Sequence, residues 1–262
     1  MDLGVSGKVA IITGGSDGIG RAAAERLSSE GALVAIVSRT QSDLDQVSKD
    51  ISDASGKEVL GLACDVRSED AVKAMVATVM EKWGRVDILV NNAGTSSAAT
   101  FENMTDEQVA EDFNLKVMGA IYCTRACLDQ LKANNGVICN TTTPGGKAPG
   151  PGSQPTALSR ASGISLTKTW SKEFAADGVR VNTVCVGLLK SRQHVRRWEA
   201  ANANEQRYSL DEMYERMGQG VPMQRVGEAS EAGDVIAFMC SGVASYVTGT
   251  AVNVDGGTSP VV

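Results

Sequence analysis

The sequence has little of what a membrane protein, a nucleic-acid-binding protein or a metalloprotein needs. No apolar run reaches the length of a membrane span, and a formal net charge of −6 provides no broad basic surface for phosphate backbones. With one histidine, His194, and six cysteines that form no CxxC pair, no metal site is expected. We therefore expect a small-molecule substrate, with no nucleic-acid and no membrane partner.

The N-terminal segment lacks the features of a secretory signal. MDLGVSGKVAIITGG has no apolar region followed by a cleavage site, so we expect a cytoplasmic protein. Thiols stay reduced in that compartment, and each cysteine lies in an apolar segment. We expect the cysteines to behave as small hydrophobic core residues.

What the sequence does contain is a regular alternation of short β-rich runs and helix-like segments. This alternation predicts one α/β domain spanning residues 1–262, a doubly wound parallel sheet of the Rossmann type with helices on both faces. About seven strands are expected. They correspond to the runs KVAIIT, ALVAIVS, EVLGLAC, DILVNNAG, GVICNTT, VRVNTVC and AVNVDGG.

One long insertion interrupts the alternation at about residues 188–222, after the sixth strand. Ligands bind beyond the carboxyl ends of the strands in an open α/β sheet, so the insertion is placed to act as a substrate lid. Aromatic residues such as Trp198 and Tyr208 lie there among arginines, which indicates an aromatic or acidic substrate. An amphipathic segment that packs on the body of the domain is an equally good interpretation.

The stretch TGGSDGIG, residues 13–20, follows a predicted strand and opens a predicted helix. In that setting glycines let the backbone approach a pyrophosphate, and the first helical amides bind its charge. A tight turn without a ligand is the alternative interpretation. The predicted cofactor-binding residues are Gly14, Ser16, Asp17, Gly18, Ile19 and Gly20.

The spacing TGxxxGxG, together with NNAG at 91–94, Asn114, VNTVCVG and VTGTAVNVDGG, resembles the short-chain dehydrogenase/reductase family over nearly the whole chain. The resemblance implies that Asp65 binds the adenine, that Asn91 ties the fourth strand to the glycine loop and that Asn114 belongs to a proton relay. It also implies a homo-oligomer, either a tetramer or a dimer. Further cofactor-binding positions that it implies are Val66, Asn92, Ala93, Gly94 and Gly187.

The end of the second strand decides between the two nicotinamide cofactors. An acidic residue there would bind the adenosine ribose and repel a 2′-phosphate, but this chain has Ser38 and Arg39. The planar guanidinium matches phosphate geometry, so NADP(H) is favoured over NAD(H). Asp17 argues the other way, because many NADP-preferring relatives carry a basic residue in the glycine loop. A solvated surface charge is the alternative interpretation of Arg39.

The serine, tyrosine and lysine that the family uses in catalysis are replaced in this chain by Thr143, Thr156 and Arg160. A phenol near pKa 10 can be brought toward neutrality by an ammonium, whereas an aliphatic hydroxyl is a far weaker acid, with a pKa close to that of water. That gap of roughly 5 to 6 pKa units would cost on the order of 10⁵-fold in rate if Thr156 had to give up its own proton. Arg160 stays protonated and makes a poor proton shuttle.

Three functions remain compatible with these replacements. The favoured one is an NADP(H)-dependent oxidoreductase that acts on a small carbonyl or alcohol through a non-standard acid/base site. The others are a lyase or isomerase in which Arg160 and Thr143 polarise an oxyanion, and a nucleotide-binding pseudoenzyme. The candidate catalytic residues are Asn114, Thr143, Thr156 and Arg160, and the candidate replacement acids are Tyr122, His194 and Tyr208.

Overall fold

The computed structural model describes residues 2–203 and 208–262, and it contains a parallel sheet of seven strands with helices on both faces. This confirms the predicted Rossmann-type architecture. The strands are β1 (Val9–Thr13), β2 (Leu33–Ser38), β3 (Val59–Ala63), β4 (Ile88–Asn91), β5 (Ala98–Ala99), β6 (Val137–Thr142), β7 (Gln154–Pro155), β8 (Arg180–Val186) and β9 (Ala251–Val254).

The large sheet has the strand order β3-β2-β1-β4-β6-β8-β9, so the winding direction reverses between β1 and β4. The helices are α1 (Gly18–Ser29), α2 (Gln41–Ser55), α3 (Glu69–Trp83), α4 (Asp106–Phe113), α5 (Gly119–Ala133), α6 (Thr156–Glu173), α7 (Arg192–Ala201), α8 (Leu210–Gly218) and α9 (Ala229–Cys240). Within the described ranges, none of the helices combines the length and the apolar character needed to cross a membrane.

Alternate residues of the central strand β1 pack on opposite faces of the sheet. Ala10 and Ile12 join the apolar cluster that includes α1, α2 and α9, whereas Val9 and Ile11 join the cluster formed with α3 and α5. All four side chains are fully buried, and all six cysteines are buried as well. Because helices cover both faces, the strand ends are the parts of the sheet left open to a ligand.

The turn between β1 and α1 needs glycine at two positions. Gly14 has a φ of +65°, in the left-handed region that side chains disfavour. A Cβ atom on Gly20 would lie 2.2 Å from the carbonyl oxygen of Gly14 and 2.5 Å from the side-chain nitrogen of Asn92. The first turn of α1 therefore packs directly on the backbone of the loop that precedes it.

A short antiparallel pair fixes the start of α6. Strand β5 follows β4 and pairs with β7, which immediately precedes α6. The backbone N–H of Ser97 then donates to Oγ1 of Thr156 at 2.9 Å. These contacts hold the first residue of α6 against the segment that follows β4.

The insertion contains helices α7 and α8, which contact each other. The indole N–H of Trp198 donates to the carbonyl oxygen of Tyr208 at 2.9 Å, and this bond links α7 to the segment that precedes α8. No residue of α7 is buried, so the predicted lid lies on the surface of the domain. Part of the expected lid, residues 204–207, lies outside the described residues.

Replacing Gly20 with alanine should disrupt the glycine loop, because the Cβ would meet a backbone oxygen that cannot move aside. We expect a loss of about 1–3 kcal/mol in the free energy of unfolding, measured by urea denaturation, together with weaker nucleotide binding. Gly150→Ala is the control, since a Cβ at Gly150 meets nothing within 4 Å. A Gly20→Ala variant as stable as this control would contradict the packing described.

Candidate functional site

A cavity of about 410 Å³ opens at the carboxyl edge of the sheet, beside the point where the strand order reverses. The segments that follow β1, β2, β3 and β4 all contribute to its wall. The predicted cofactor-binding residues that line it are Gly14, Ser38, Arg39, Asp65, Val66, Ala93 and Gly94. The structure therefore gathers residues from four distant parts of the sequence at one site.

The remaining residues of the glycine loop build the start of α1. Asp17 is the N-cap, and its carboxylate accepts a hydrogen bond from the Gly18 N–H at 2.8 Å. Gly18 has a φ of +53°, and Ile19 packs against the apolar core. Ser16 lies in the turn between β1 and Asp17. The acidic side chain that argued against NADP(H) thus has a structural role in capping the helix.

Asp65 and Arg39 line the same cavity but differ in their partners. The guanidinium of Arg67 binds the Asp65 carboxylate through two nitrogens, at 2.6 Å and 3.0 Å. These hydrogen bonds lower the pKa of Asp65, against an opposing effect of burial. Arg39 is exposed and forms no ion pair within residues 2–203 and 208–262. Arg67, which was not predicted from the sequence, is ion-paired with Asp65, whereas the Arg39 guanidinium is available to a ligand.

Asn92 ties β4 to the glycine loop, so the assignment of that role to Asn91 was wrong. The Asn92 side chain donates to the carbonyl oxygens of Thr13 and Gly14, at 3.1 and 3.2 Å. The hydroxyl of Thr13 in turn accepts from the backbone N–H groups of Asn92 and Ala93 at 3.0 Å each. Asn91 is buried instead and donates to the Asn140 side chain at 2.9 Å.

Successive strand residues point to opposite faces, which explains the difference between Asn91 and Asn92. Asn91 is the last residue of β4 and points into the core, whereas Asn92 lies just past the strand, beside the glycine loop.

The candidate catalytic residues are only partly brought together. Thr156 and Arg160 lie one turn apart at the start of α6. Thr143 follows β6 and leads into the short 3₁₀ turn Pro144–Gly146, which packs against α6. Asn114 is exposed and lies in a π-helical turn, Asn114–Met118, between α4 and α5. The structure therefore does not place Asn114 with the other candidates.

Lys116, which the sequence analysis overlooked, reaches the site from the same π-helical turn. In this turn the Gly119 N–H donates to the Asn114 carbonyl, five residues back, so the turn holds an extra residue and rotates the helix face. The Lys116 side chain is only 2% exposed, and its Nζ donates to Oγ1 of Thr156 at 3.1 Å. A cation thus contacts the Thr156 hydroxyl, one of the candidate catalytic groups.

Asp112, one turn before Lys116, forms a buried ion pair with it, and the Asp112 carboxylate is 1% exposed. The hydroxyl of Ser159 donates to the other carboxylate oxygen at 2.5 Å. Burial, with the nearby charge of Arg160, lowers the pKa of Lys116 to about 8, although the Asp112 carboxylate opposes that shift. The spacing of Asp112 and Lys116 by four residues was the sequence signal that could have revealed the pair.

Arg160 lies between the ends of β4 and β6. One terminal nitrogen donates to the carbonyl oxygen of Thr141 at 2.7 Å, and the other would lie 2.9 Å from a Cβ on Gly94. Its Nε is buried without a partner among the described residues, and burial lowers the pKa of the guanidinium. Glycine at position 94 therefore leaves room for the Arg160 guanidinium in this position.

Gly187 and the three candidate replacement acids do not line the large cavity. A Cβ on Gly187 would meet the Asp255 side chain at 2.5 Å, so glycine there permits close packing against the segment after β9. Tyr122 packs against the apolar core, and the Tyr208 ring lies 5.2 Å from the guanidinium of Arg216. The His194 ring meets Tyr214 edge-on, and burial lowers its pKa. In the described part of the chain, no hydrogen bond links Tyr122, Tyr208 or His194 to Thr156 or Arg160.

Comparison with known proteins agrees with this geometry. The family model described as enoyl-(acyl carrier protein) reductase matches residues 14–259. The chain belongs to the short-chain dehydrogenase/reductase family. A 3-oxoacyl-(acyl-carrier-protein) reductase of Thermotoga maritima is 33% identical to it over 254 residues, covering 97% of this chain and 98% of the relative.

Two solved structures extend the comparison. L-sorbose reductase from Gluconobacter frateurii, complexed with NADPH and L-sorbose, shares 31% identity with a TM-score of 0.95 and full coverage of both chains. An NADPH-bound short-chain oxidoreductase from Pseudomonas aeruginosa, described as containing an atypical catalytic center, shares 33% identity with a TM-score of 0.90. That alignment covers 97% of this chain and 98% of the other.

The Asp112–Lys116 pair should show strong energetic coupling. At pH 6, where Lys116 is charged, we expect Asp112→Asn to cost about 3–5 kcal/mol in unfolding free energy, because it leaves a buried cation unpaired. The double variant Asp112→Asn/Lys116→Met should cost much less than the sum of the single variants, measured by urea denaturation. The coupling should shrink as the pH rises through about 8, because Lys116 then loses its charge.

The exposed pair Lys49–Asp53, also four residues apart in a helix, provides the matched control. The effects of Lys49→Met and Asp53→Asn on the unfolding free energy should be additive within experimental error. Additive effects at Asp112 and Lys116 as well would show that the buried pair is not coupled.

Proposed function

We propose that this protein is an NADP(H)-dependent oxidoreductase that interconverts a small carbonyl compound and its alcohol through a non-standard acid/base site. The observation that carries the cofactor preference is the position of Arg39. It lines the cavity at the end of β2 beside Ser38, is exposed and forms no ion pair within the described ranges. A guanidinium in that position suits a 2′-phosphate, and no acidic side chain stands at the end of β2 to repel one.

The relatives support this proposal. NADPH is bound in the sorbose reductase and in the Pseudomonas aeruginosa oxidoreductase, and the Thermotoga maritima relative is named as a reductase of 3-oxoacyl groups. We carry over from them the cofactor and a carbonyl substrate. The description of the Pseudomonas protein as having an atypical catalytic center also suits the replacements at Thr143, Thr156 and Arg160.

The residues of the cavity fit a nicotinamide dinucleotide. Gly14, Ala93 and Gly94 place backbone and small side chains along the cavity wall, and Arg160, which lies beside Gly94, has a buried Nε without a partner in the described residues. We propose that Arg39 and Ser38 hold the 2′-phosphate, that Asp65 and Val66 hold the adenine, and that the loop from Gly14 to Gly20 holds the pyrophosphate. When bound, the reduced nicotinamide supplies a hydride to the substrate carbonyl carbon.

The substrate side remains a proposal built on α7 and α8. The arginines and aromatic residues of this insertion favour an aromatic or acidic substrate, and its surface position suits a lid over the cavity. We also propose a cytoplasmic homo-oligomer, on the basis of the family.

The variant Arg39→Ala should lose the preference for NADPH. We expect wild-type protein to bind NADPH more tightly than NADH by calorimetric titration, because only NADPH presents a phosphate to Arg39. In the variant, NADPH affinity should fall by roughly 10- to 100-fold with NADH affinity little changed, as for the loss of a charge-assisted hydrogen-bond pair.

Arg26→Ala is the control, since this arginine pairs with Glu30 on the surface of α1. Equal affinities of wild-type protein for the two cofactors would refute the proposed preference. Binding of neither cofactor would refute the proposed function.

A further inference from the structure

The hydroxyl of Thr156 has its two acceptor positions filled. Oγ1 accepts from the Ser97 N–H at 2.9 Å and from Lys116 Nζ at 3.1 Å. A hydroxyl accepts two hydrogen bonds and donates one, and among residues 2–203 and 208–262 no group accepts the Thr156 proton. Ser97, which contacts Thr156, and Asp112, which contacts Lys116, both line the large cavity, so Thr156 lies next to the part of the wall that these residues form. The O–H is therefore left to donate to a ligand bound there.

The ammonium of Lys116 lies directly behind this hydroxyl. The charged groups that face it are Asp112 from α4, which is ion-paired with it, and Arg160 from α6. Ser159, also from α6, hydrogen-bonds the Asp112 carboxylate and so limits its movement. Burial and the Arg160 charge bring the pKa of Lys116 to about 8, so this lysine can release a proton near neutral pH, unlike an ordinary exposed lysine.

We propose that Lys116 is the proton donor of this site and that it acts through the hydroxyl of Thr156, whose O–H faces the substrate oxygen. This inference rests on the proposed function. NADPH, held by the cavity residues named above, would supply the hydride for the new C–H bond at the carbonyl carbon and would leave as NADP⁺. The substrate oxygen takes the Thr156 proton as that O–H bond breaks, and a Lys116 N–H bond breaks to restore the hydroxyl.

The products are an alcohol, NADP⁺, an intact threonine and a neutral Lys116 amine, which then regains a proton from solvent. Alcohol oxidation is the same sequence in reverse and begins from the neutral amine. Thr156 and Lys116 are the catalytic residues of this scheme, whereas Asp112 and Ser159 are positioning residues that hold the ammonium against the hydroxyl.

The relay removes the difficulty raised by the replacement of tyrosine. A threonine that gave up its own proton would have to pass through an alkoxide, at a cost on the order of 10⁵-fold in rate. When the proton arrives from Lys116 as the other leaves, no free alkoxide forms, and the effective acid has a pKa of about 8. An acid near the operating pH is the effective choice for general acid catalysis.

The first test is reduction of two probes, ethyl acetoacetate and L-sorbose, followed by NADPH absorbance. Lys116→Met and Thr156→Val should each lower kcat by on the order of 10²- to 10⁴-fold with NADPH affinity within about threefold of wild type. Thr156→Ser should lose much less activity than Thr156→Val, because serine keeps the hydroxyl. Lys116→Arg should not, because a guanidinium does not release its proton. Lys49→Met, on the exposed face of α2, is the control for loss of a paired lysine.

The pH profile separates a proton donor from a structural lysine. Reduction needs the ammonium, so kcat should fall as the pH rises through about 8, and this limb should disappear in Lys116→Met. In Asp112→Asn the limb should move to lower pH, since the carboxylate raises the pKa of Lys116. Full activity of Lys116→Met with an unchanged pH profile would overturn the proposal.

The second test needs no turnover. In protein labelled with ¹³C-lysine, the Lys116 side-chain signal, assigned as the one missing in Lys116→Arg, should titrate near pH 8. In Thr156→Val it should titrate lower, because the ammonium loses an acceptor. If the wild type reduces neither probe, the proposed function fails on these substrates, and the titration still decides the inference. Titration above pH 10, or titration unaffected by Thr156→Val, would overturn it.

Discussion

The ion pair between Asp112 and Lys116 imposes the constraint around which the site is arranged. Both side chains are almost fully buried, and an unpaired charge at such a depth would destabilise the fold. Each charge therefore needs several partners, and the partners come from different elements. Ser159 and Thr156 lie on α6, whereas Asp112 and Lys116 flank the junction of α4 with the π-helical turn. The pair thus ties these elements together at the carboxyl edge of the sheet.

A second set of contacts builds the nucleotide side of the same edge. Thr13 and Asn92 exchange hydrogen bonds between the ends of β1 and β4, and Gly20 allows α1 to approach the loop. These contacts involve backbone groups and small residues, so they are independent of the groups around Lys116. This separation allows a nucleotide half that follows the family pattern to stand beside the non-standard acid/base half that we propose.

The departures at the acid/base half compensate for one another. Arginine at position 160 keeps a cation near the ends of β4 and β6, but its guanidinium is fixed by the Thr141 carbonyl and retains its proton. Lysine at position 116 supplies a second cation whose pKa lies near neutrality, partly because Arg160 is close to it. Threonine at position 156 offers a hydroxyl that accepts a hydrogen bond from that lysine. Arg160, Lys116 and Thr156 therefore act as a group, since burial and the Arg160 charge lower the pKa of Lys116 and Lys116 contacts the Thr156 hydroxyl.

The sequence by itself determined the strands, the glycine loop and the basic end of β2, because these features depend on residues adjacent in the chain. Alternating apolar runs bury both faces of a parallel sheet, and glycine spacing reports a local turn. Only the tertiary structure decided which side chains meet. The extra residue in the π-helical turn rotates Lys116 into the site and leaves Asn114 exposed, and the end of β4 gives the bridging role to Asn92 in place of Asn91. Such one-residue differences change the direction of a side chain without changing the sequence pattern. The pKa of Lys116 likewise depends on tertiary structure, because the burial that lowers it exists only once α4, α5 and α6 are packed together.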